Sequence, residues 1–312
     1  MTARPKLLVI AGPTACGKTR LAVALARAFG GEIVSADSRQ AYRALDLCAG
    51  KDLEEYRTGG PVVPVHLVDV AELSEEFSLF DFVRGFARAF WDICAHGRLP
   101  ILCGGTGLYL EAVLRGYRLA EAAPDDSLRA ELSQLSAEEL KERLRAEKPR
   151  LHNVSDFGSR ERTIRAIEIA VAARTRPALE LPAFEPLVIG VSLPRPARKL
   201  RIRERLRARL AAGMLEEVRR LLDAGVTHPR LEELGLECRF ISRFLRGEIP
   251  SQDELEERLS REIYLFSKRQ EAWLRRWERA GMQIHWLEGP DVERASAVVR
   301  EVLGARPPGG ES

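Results

Sequence analysis

Residues 12–19 read Gly12-Pro13-Thr14-Ala15-Cys16-Gly17-Lys18-Thr19, the spacing GxxxxGK[ST], and they sit between an apolar run, Lys6–Ala11, and an amphipathic one. Few short motifs constrain a fold as tightly. Successive backbone N–H groups in a glycine-permitted turn form an anion nest, the following helix points its positive end inward, and Lys18 adds a mobile charge. The Thr19 hydroxyl is placed to ligate a magnesium ion. Leu21, Ala22, Leu25, Ala26 and Phe29 recur at helical spacing and supply the apolar face that such a helix lays on a sheet. The segment therefore predicts strand, phosphate loop and helix in succession. A glycine turn that only joins strand to helix leaves Lys18 followed by Thr19 unexplained.

The chain has 312 residues, enough for one large domain or two modest ones with a substantial core. Its five cysteines, Cys16, Cys48, Cys94, Cys103 and Cys238, form no CxxC pair and stand far from any histidine at zinc-ligand spacing. Neither a zinc site nor a disulfide framework is expected, and reduced thiols fit a cytoplasmic protein. No run approaches the length of a membrane span, and the first residues lack the apolar segment of a signal peptide.

The net charge of +3 hides local clustering. Residues 1–112 hold 12 Lys/Arg against 13 Asp/Glu, whereas Arg195 to Arg220 holds ten basic residues and three acidic ones. Within it Arg201, Arg205 and Arg209 recur at i, i+4, along one helix face. That stripe suits a polyanion; a solvated helix face is the alternative.

Along the first third, strand-like and helix-like runs alternate: Leu7–Ala11, a helix to Phe29, Glu32–Ser35, Val65–Val70, a helix over Phe80–Ala95, and Pro100–Cys103. This rhythm predicts an α/β fold with a parallel sheet flanked by helices. Leu128 to Ala172 reads instead as consecutive helices, an all-helical insertion. The expected organisation is an α/β core over 1–114, a helical insertion over 115–185, and a return to the core with basic helices over 186–304. Val188–Leu193 and Gln283–Leu287 supply further strands, and the Pro- and Gly-rich 305–312 is expected to be a disordered tail.

Three further segments carry candidate chemistry. Ser35-Ala36-Asp37-Ser38-Arg39-Gln40-Ala41-Tyr42 brings Asp37 to the carboxyl end of a strand, where ligands bind in open α/β sheets. Asp37 there is a magnesium ligand, a general base or a helix cap. Cys103-Gly104-Gly105-Thr106-Gly107 opens at the same edge, either as a second anion loop or as a tight turn. Val65-His66-Leu67-Val68-Asp69 reads as a strand ending in a magnesium-binding Asp or in a turn.

Taken in order, GPTACGKT at 12–19, DSRQAY at 37–42, HLVD at 66–69, LPILCGGTGLYL at 99–110, RERTIRAIEI at 160–169 and KRQEAWLR at 268–275 resemble the tRNA dimethylallyltransferase family over nearly the whole chain. The resemblance implies a phosphate-loop-type α/β core. It also implies transfer of a dimethylallyl group from dimethylallyl diphosphate, with Mg2+, to N6 of the adenosine 3′ of the anticodon in tRNAs reading UNN codons. By the family's pattern Asp37 is the base. Lys18, Thr106, the loop amides and an arginine of the 201–205 stripe, Arg201 first, stabilise the leaving diphosphate. The tRNA anticodon stem-loop would meet Asp37, Ser38, Arg39 and Gln40, then Glu161, Arg162, Thr163, Ile164 and Arg165, Arg239, and finally Lys268, Arg269, Gln270, Trp273 and Arg275. By helical spacing Trp273 reads as core, with a stacking surface as the alternative. The expected assembly is a monomer in contact with no membrane.

Residues 234–239 read Leu-Gly-Leu-Glu-Cys-Arg where many members have Gly-Tyr, and 50–52 read Gly-Lys-Asp in place of the frequent Gly-Thr-Ala-Lys-Pro. Both departures bear on local tRNA contacts. Rival readings are an isopentenyltransferase acting on free adenine nucleotides, a small-molecule kinase and a nucleotide-dependent RNA-binding switch. A guanine-specificity NKxD element is absent from the sequence.

Overall fold

The computed structural model describes residues 4–147 and 159–304, so the 305–312 tail lies outside the described residues. The chain divides into two compact units: one runs through Arg115 and resumes at Pro182, and the other is Gly116–Leu181.

The larger unit is built on a six-stranded sheet in the order β3-β2-β4-β1-β5-β6, with every pairing parallel. At its centre β1 (Lys6–Ala11) lies between β4 (Leu99–Gly104) and β5 (Glu185–Ser192). Leu7 through Ala11 are wholly buried, as a central parallel strand covered on both faces requires. Helix α1 (Lys18–Phe29) buries Leu21, Ala22, Leu25, Ala26 and Phe29 and stops at Gly30, whose left-handed φ of 63° closes the helix before β2 (Gly31–Ser35). After the short α2 (Glu54–Arg57), strand β3 (Val65–His66) and a capping box of Ser78 with Asp81, α3 (Leu79–Ala95) buries Phe82, Phe86 and Phe90. Each contributes about 1.5–3 kcal/mol by burial. Helix α4 (Gly107–Leu114) follows β4.

The run Val65–Val70 is less of a strand than its apolar character predicts. Only Val65 and His66 pair with β2; Leu67 and Asp69 then adopt positive φ of 62° and 56°. Lys51 explains the break. Its wholly buried ammonium binds the Tyr42 carbonyl at 2.7 Å, Asp46 at 3.0 Å and Asp69 at 2.5 Å. Asp69 is thereby an anchor for a buried cation, and its carboxylate is not offered to a metal.

Beyond β5 the chain forms a helical layer: α8 (Arg195–Ala211), α9 (Met214–Asp223), α10 (His228–Glu233), α11 (Leu236–Leu245) and α12 (Gln252–Arg279). Ile202, Leu206 and Leu210 of α8 pack with Leu255, Leu259 and Ile263 of α12 in one apolar cluster. Strand β6 (His285–Glu288) and α13 (Val292–Leu303) return to the sheet.

In the smaller unit α5 (Asp126–Leu132), α6 (Ala137–Glu147) and α7 (Arg160–Thr175) enclose a small core of Leu132, Leu140, Leu144 and Ile167. Glu168 is buried beside it. Burial would raise its pKa, but hydrogen bonds from Arg129, the Asp125 amide and Arg165 outweigh that and hold the carboxyl below its ordinary range. Among the described residues no helix is long and apolar enough to cross a membrane.

Candidate active site

The carboxyl ends of β1, β2 and β4 deliver three loops to one cavity of about 410 Å3. The first is the phosphate loop. Its backbone turns through left-handed Ala15 (φ 63°) and Gly17 (φ 88°), and Lys18 arches back to donate to the Pro13 carbonyl at 2.8 Å. Gly12 admits no side chain, because a Cβ there would lie 2.2 Å from the Val191 carbonyl oxygen. Thr14, Lys18 and Thr19 line the cavity, whereas Cys16 is buried beneath it.

The second and third loops are zipped together. The Ala36 amide donates to Cys103 O at 2.8 Å, the Thr106 amide donates to Ala36 O at 3.1 Å, and the Ser38 amide donates to the Thr106 hydroxyl oxygen at 3.1 Å. A Cβ on Gly104 would fall 2.2 Å from Ala36 O, so the approach depends on glycine. Asp37 lies between the two tied residues, with its position set by backbone bonds on either side. Its Oδ1 accepts from the Arg39 amide at 3.1 Å, which closes a turn and not a helix, and its carboxylate lines the cavity. Gln40 links the Ser35 hydroxyl to the Gly50 carbonyl, and Arg39 donates to Glu233 O at 2.7 Å.

Arg201 is exposed and lines no part of the cavity; the stripe meets it through Arg205 and Arg209. The i, i+4 spacing defines the face, and the helix passes the pocket only along its later turns. Both guanidinium groups engage Asp52, Arg205 at 2.6 Å and Arg209 at 3.5 Å. Burial, then the neighbouring charge of Arg205, lowers the Arg209 pKa, with Asp52 opposing. Gly50 fits beneath Arg209 because it has no side chain: a Cβ would be 2.0 Å from the guanidinium. The Gly-Lys-Asp segment at 50–52 is thus a seat for two arginines, anchored by buried Lys51.

Glu237 of α11 also lines the cavity. Burial raises its pKa against the pull of Arg209, and the charge of Asp37 adds to the rise. Burial pushes the Cys103 thiol up to about 12, and hydrogen bonding to Cys238, followed by burial, raises Cys48, so neither lining cysteine is an activated nucleophile. The apolar wall comes from Tyr56, Leu108, Leu236, Ile263 and Phe266.

Helix α12 divides its candidates by face. Lys268, Arg269 and Arg275 are exposed, with Arg269 at the cavity rim and Arg275 stacked 4.1 Å from the Trp286 centroid. Gln270 is buried, and its amide turns to the loops and away from solvent. Trp273 is half-buried: it packs on Gly107, where a Cβ would lie 2.7 Å from the indole, and it lines the cavity. Arg239 is spent on the Glu232 carbonyl, at 3.0 and 2.9 Å, away from the cavity. In the smaller unit Glu161 and Arg162 are exposed on α7, whereas Thr163 is buried, Ile164 packs on the small core, and Arg165 binds Glu168 and the Ala122 carbonyl.

Tyr56, Ile263 and Phe266 are cavity residues that lie outside every segment sequence reasoning singles out, whereas Arg209 and Glu237 fall in the arginine repeat and in the 234–239 departure without either being assigned to the pocket.

A family model described as IPP transferase matches residues 40–277, and one described as isopentenyl transferase matches residues 5–59. The chain is 53% identical over 287 residues to tRNA dimethylallyltransferase 2 of Syntrophotalea carbinolica, covering 91% of this chain and 94% of that one. It is 49% identical over 283 residues to tRNA dimethylallyltransferase 1 of Geotalea uraniireducens, covering 91% and 92%. Among solved structures, the tRNA isopentenylpyrophosphate transferase of Bacillus halodurans superposes with a TM-score of 0.69 at 28% identity, over 97% of both chains. A eukaryotic dimethylallyltransferase acting on tRNA shares the fold with a TM-score of 0.78 at 22% identity, over 98% of this chain and 81% of that one. With a family model spanning most of its length and relatives at about half identity over nine-tenths of it, the chain belongs to the IPP transferase family.

Proposed function

We propose that this protein transfers a dimethylallyl group from dimethylallyl diphosphate to N6 of the adenosine immediately 3′ of the anticodon in tRNAs reading UNN codons. The observation that carries this reading is the placement of Asp37, a carboxylate whose two neighbours are hydrogen-bonded to the second glycine loop, at a cavity that the phosphate loop also lines. The phosphate loop, Lys18 and Thr106 suit a diphosphate, and Arg205 and Arg209 complete its cationic surround. Leu108, Ile263, Phe266 and Trp273 offer apolar surface to a five-carbon tail.

The exocyclic amine of adenine is a poor nucleophile because its lone pair is delocalised into the ring. As the N6–C bond forms, the C–O bond to diphosphate breaks, Asp37 takes the N6 proton, and the electron pair leaves with the diphosphate. Lys18, Arg205, Arg209 and the loop amides stabilise that developing charge in place of water. Among the described residues no three His, Cys, Asp or Glu side chains gather to hold a metal. A Mg2+ ion would be held by the Thr19 hydroxyl at the cavity wall, with water and substrate oxygens supplying the rest of the hard, mostly non-protein shell that this cation accepts. When bound it neutralises charge on the diphosphate. The adenosine reaches the pocket by leaving its stack, at a cost of a few kcal/mol, and exposed Lys268, Arg269 and Arg275 supply phosphate contacts that hold the loop meanwhile.

The test incubates the protein with Mg2+ and labelled dimethylallyl diphosphate plus unmodified tRNA, AMP or ATP. Label is expected in tRNA alone. Label in AMP, or phosphate transfer from ATP, refutes the reading. Asp37→Ala should lower turnover about 10²–10⁴-fold while tRNA affinity stays within about two-fold; a variant that turns over normally removes Asp37 from the base role.

A further inference from the structure

The inward face of α12 repeats every three or four residues: Leu255, Leu259, Ile263, Ser267, Gln270, Leu274 and Trp277 are its buried members. Two of these seven are polar. Ser267 is satisfied within its own helix, its hydroxyl donating to Tyr264 O at 2.7 Å. Gln270 is not. Its Oε1 accepts from the Thr14 amide of the phosphate loop at 2.8 Å, and its Nε2 donates to the Gly105 carbonyl of the second glycine loop at 2.9 Å. One side chain thus joins two loops that belong to different strands and lie 256 and 165 residues away from it in sequence.

The chemistry of the pair admits few substitutes. One loop offers a donor and the other an acceptor, so the bridging group must accept at one end and donate at the other, as a carboxamide does. A carboxylate would set an acceptor against the Gly105 carbonyl, and an apolar isostere would take the partner from a part-buried N–H and a buried C=O. The fit is close as well. A Cβ on Gly105 would lie 2.4 Å from the Gln270 amide nitrogen, so a side chain there would displace the amide from its bond. The bond to Gln270 also withdraws the Thr14 N–H from the anion nest. Phosphate oxygens are then left to the later amides of the loop and to Lys18.

We infer that Gln270 is a positioning residue for the diphosphate site, a staple that sets the spacing and orientation of the two glycine loops, and not a contact to RNA. This inference rests on the proposed function only in taking a diphosphate as the ligand. Its neighbours on α12 differ in kind: Lys268 and Arg269 are exposed, whereas the Gln270 amide is buried between the loops.

The experiment compares wild type with Gln270→Met, which keeps the volume and loses both bonds, and Gln270→Glu, which keeps one acceptor and loses the donor. Inorganic pyrophosphate with Mg2+ is the binding probe, read by calorimetry, and steady-state kinetics give separate KM values for dimethylallyl diphosphate and tRNA. Both variants should bind pyrophosphate about ten-fold or more weakly, and kcat/KM for dimethylallyl diphosphate should fall at least as far, while the KM for tRNA stays within about two-fold. A raised tRNA KM with unchanged pyrophosphate affinity overturns the staple in favour of an RNA contact. Unchanged values throughout overturn it too. So does loss of pyrophosphate and tRNA binding in equal proportion, the signature of a merely structural residue. The pyrophosphate measurement involves no chemistry. A wild-type protein that binds pyrophosphate but fails to prenylate tRNA would refute the proposed function and leave the comparison of variants still decisive for Gln270.

Discussion

Helices α8 and α12 are the two arginine-rich elements of the helical layer, and they use their charge differently. α8 carries eight Lys/Arg and one acidic residue; α12 carries seven of each. Net charge alone would assign polyanion binding to α8 and a solvated role to α12. Position relative to each helix's buried stripe says something else. In α8 the stripe is Arg198, Ile202, Leu206 and Leu210, and the arginines just before Leu206 and Leu210 flank it and line the cavity. Arg198 is wholly buried, 2.9 Å from Glu271 of α12 and 5.7 Å from the Tyr264 centroid, an ion pair whose angles fall short of a hydrogen bond. On α12 the residues next to Glu271 and two beyond it, Gln270 and Trp273, face the loops and the cavity. At the cavity each basic helix acts through the few side chains that its packing turns inward, whatever its net charge.

The largest effect that this contrast predicts is at Arg205. It is partly buried at the cavity with Asp52 as partner, so its removal takes a preorganised cation from the departing diphosphate. Arg205→Ala should lower kcat about 10²–10³-fold, equivalent to about 3–4 kcal/mol, with tRNA binding little changed. If kcat holds and only tRNA affinity falls, α8 is a conventional RNA-binding stripe and the contrast fails.

A smaller effect belongs to the pair that joins the two helices. Arg198→Met leaves Glu271 without its cation, but that carboxylate is 28% exposed and water offsets part of the loss. The expected cost is about 1–3 kcal/mol in chemical denaturation, below the range for a fully buried pair. Adding Glu271→Leu should restore most of it, because an apolar pair replaces a wholly buried cation and a partly desolvated carboxylate. A double variant less stable than the single one would mean that the ion pair itself holds α12 in place.

Much of the sheet is legible in the sequence because its determinants are local. Short runs of four or five residues beside glycine place β1, β2 and β4, and the phosphate loop announces itself because anion binding needs backbone geometry and one lysine within eight residues. The shortened β3 is not legible. Asp69 leaves the strand direction to reach Lys51, 18 residues earlier, and no periodicity encodes that pull. The same limit applies at the site. A repeat of arginines at i, i+4 identifies the face carrying Arg201, Arg205 and Arg209, but which turn of that face meets the cavity depends on where β5 releases the helix. Gln270 sits in a basic, exposed-looking motif, and only the packing of α12 against two loops reveals that its amide is inside. Glu237 lies in the 234–239 departure, but nothing in that segment marks its carboxylate as part of a cavity wall.

The smallest effects should come from the exposed cations, and they separate the helices most cleanly. Lys268 and Arg275 of α12 are exposed, and Arg201 of α8 is equally so. If α12 presents its outer face to the RNA backbone, Lys268→Ala with Arg275→Ala should weaken tRNA binding several-fold and make the dependence of log K on log[salt] shallower by about 0.7–0.9 for each phosphate that is no longer neutralised. Prenyl transfer at saturating tRNA should be unaffected, because neither residue lines the cavity. Arg201→Ala should change tRNA affinity less than two-fold and leave the salt slope alone, as expected of a solvated charge one turn short of the pocket. Equal slopes for wild type and the α12 double variant would mean that the outer face of α12 is solvated too. Charge-balanced α12 would then act only at the cavity itself, through Gln270, Trp273 and Arg269 and the apolar wall of Ile263 and Phe266.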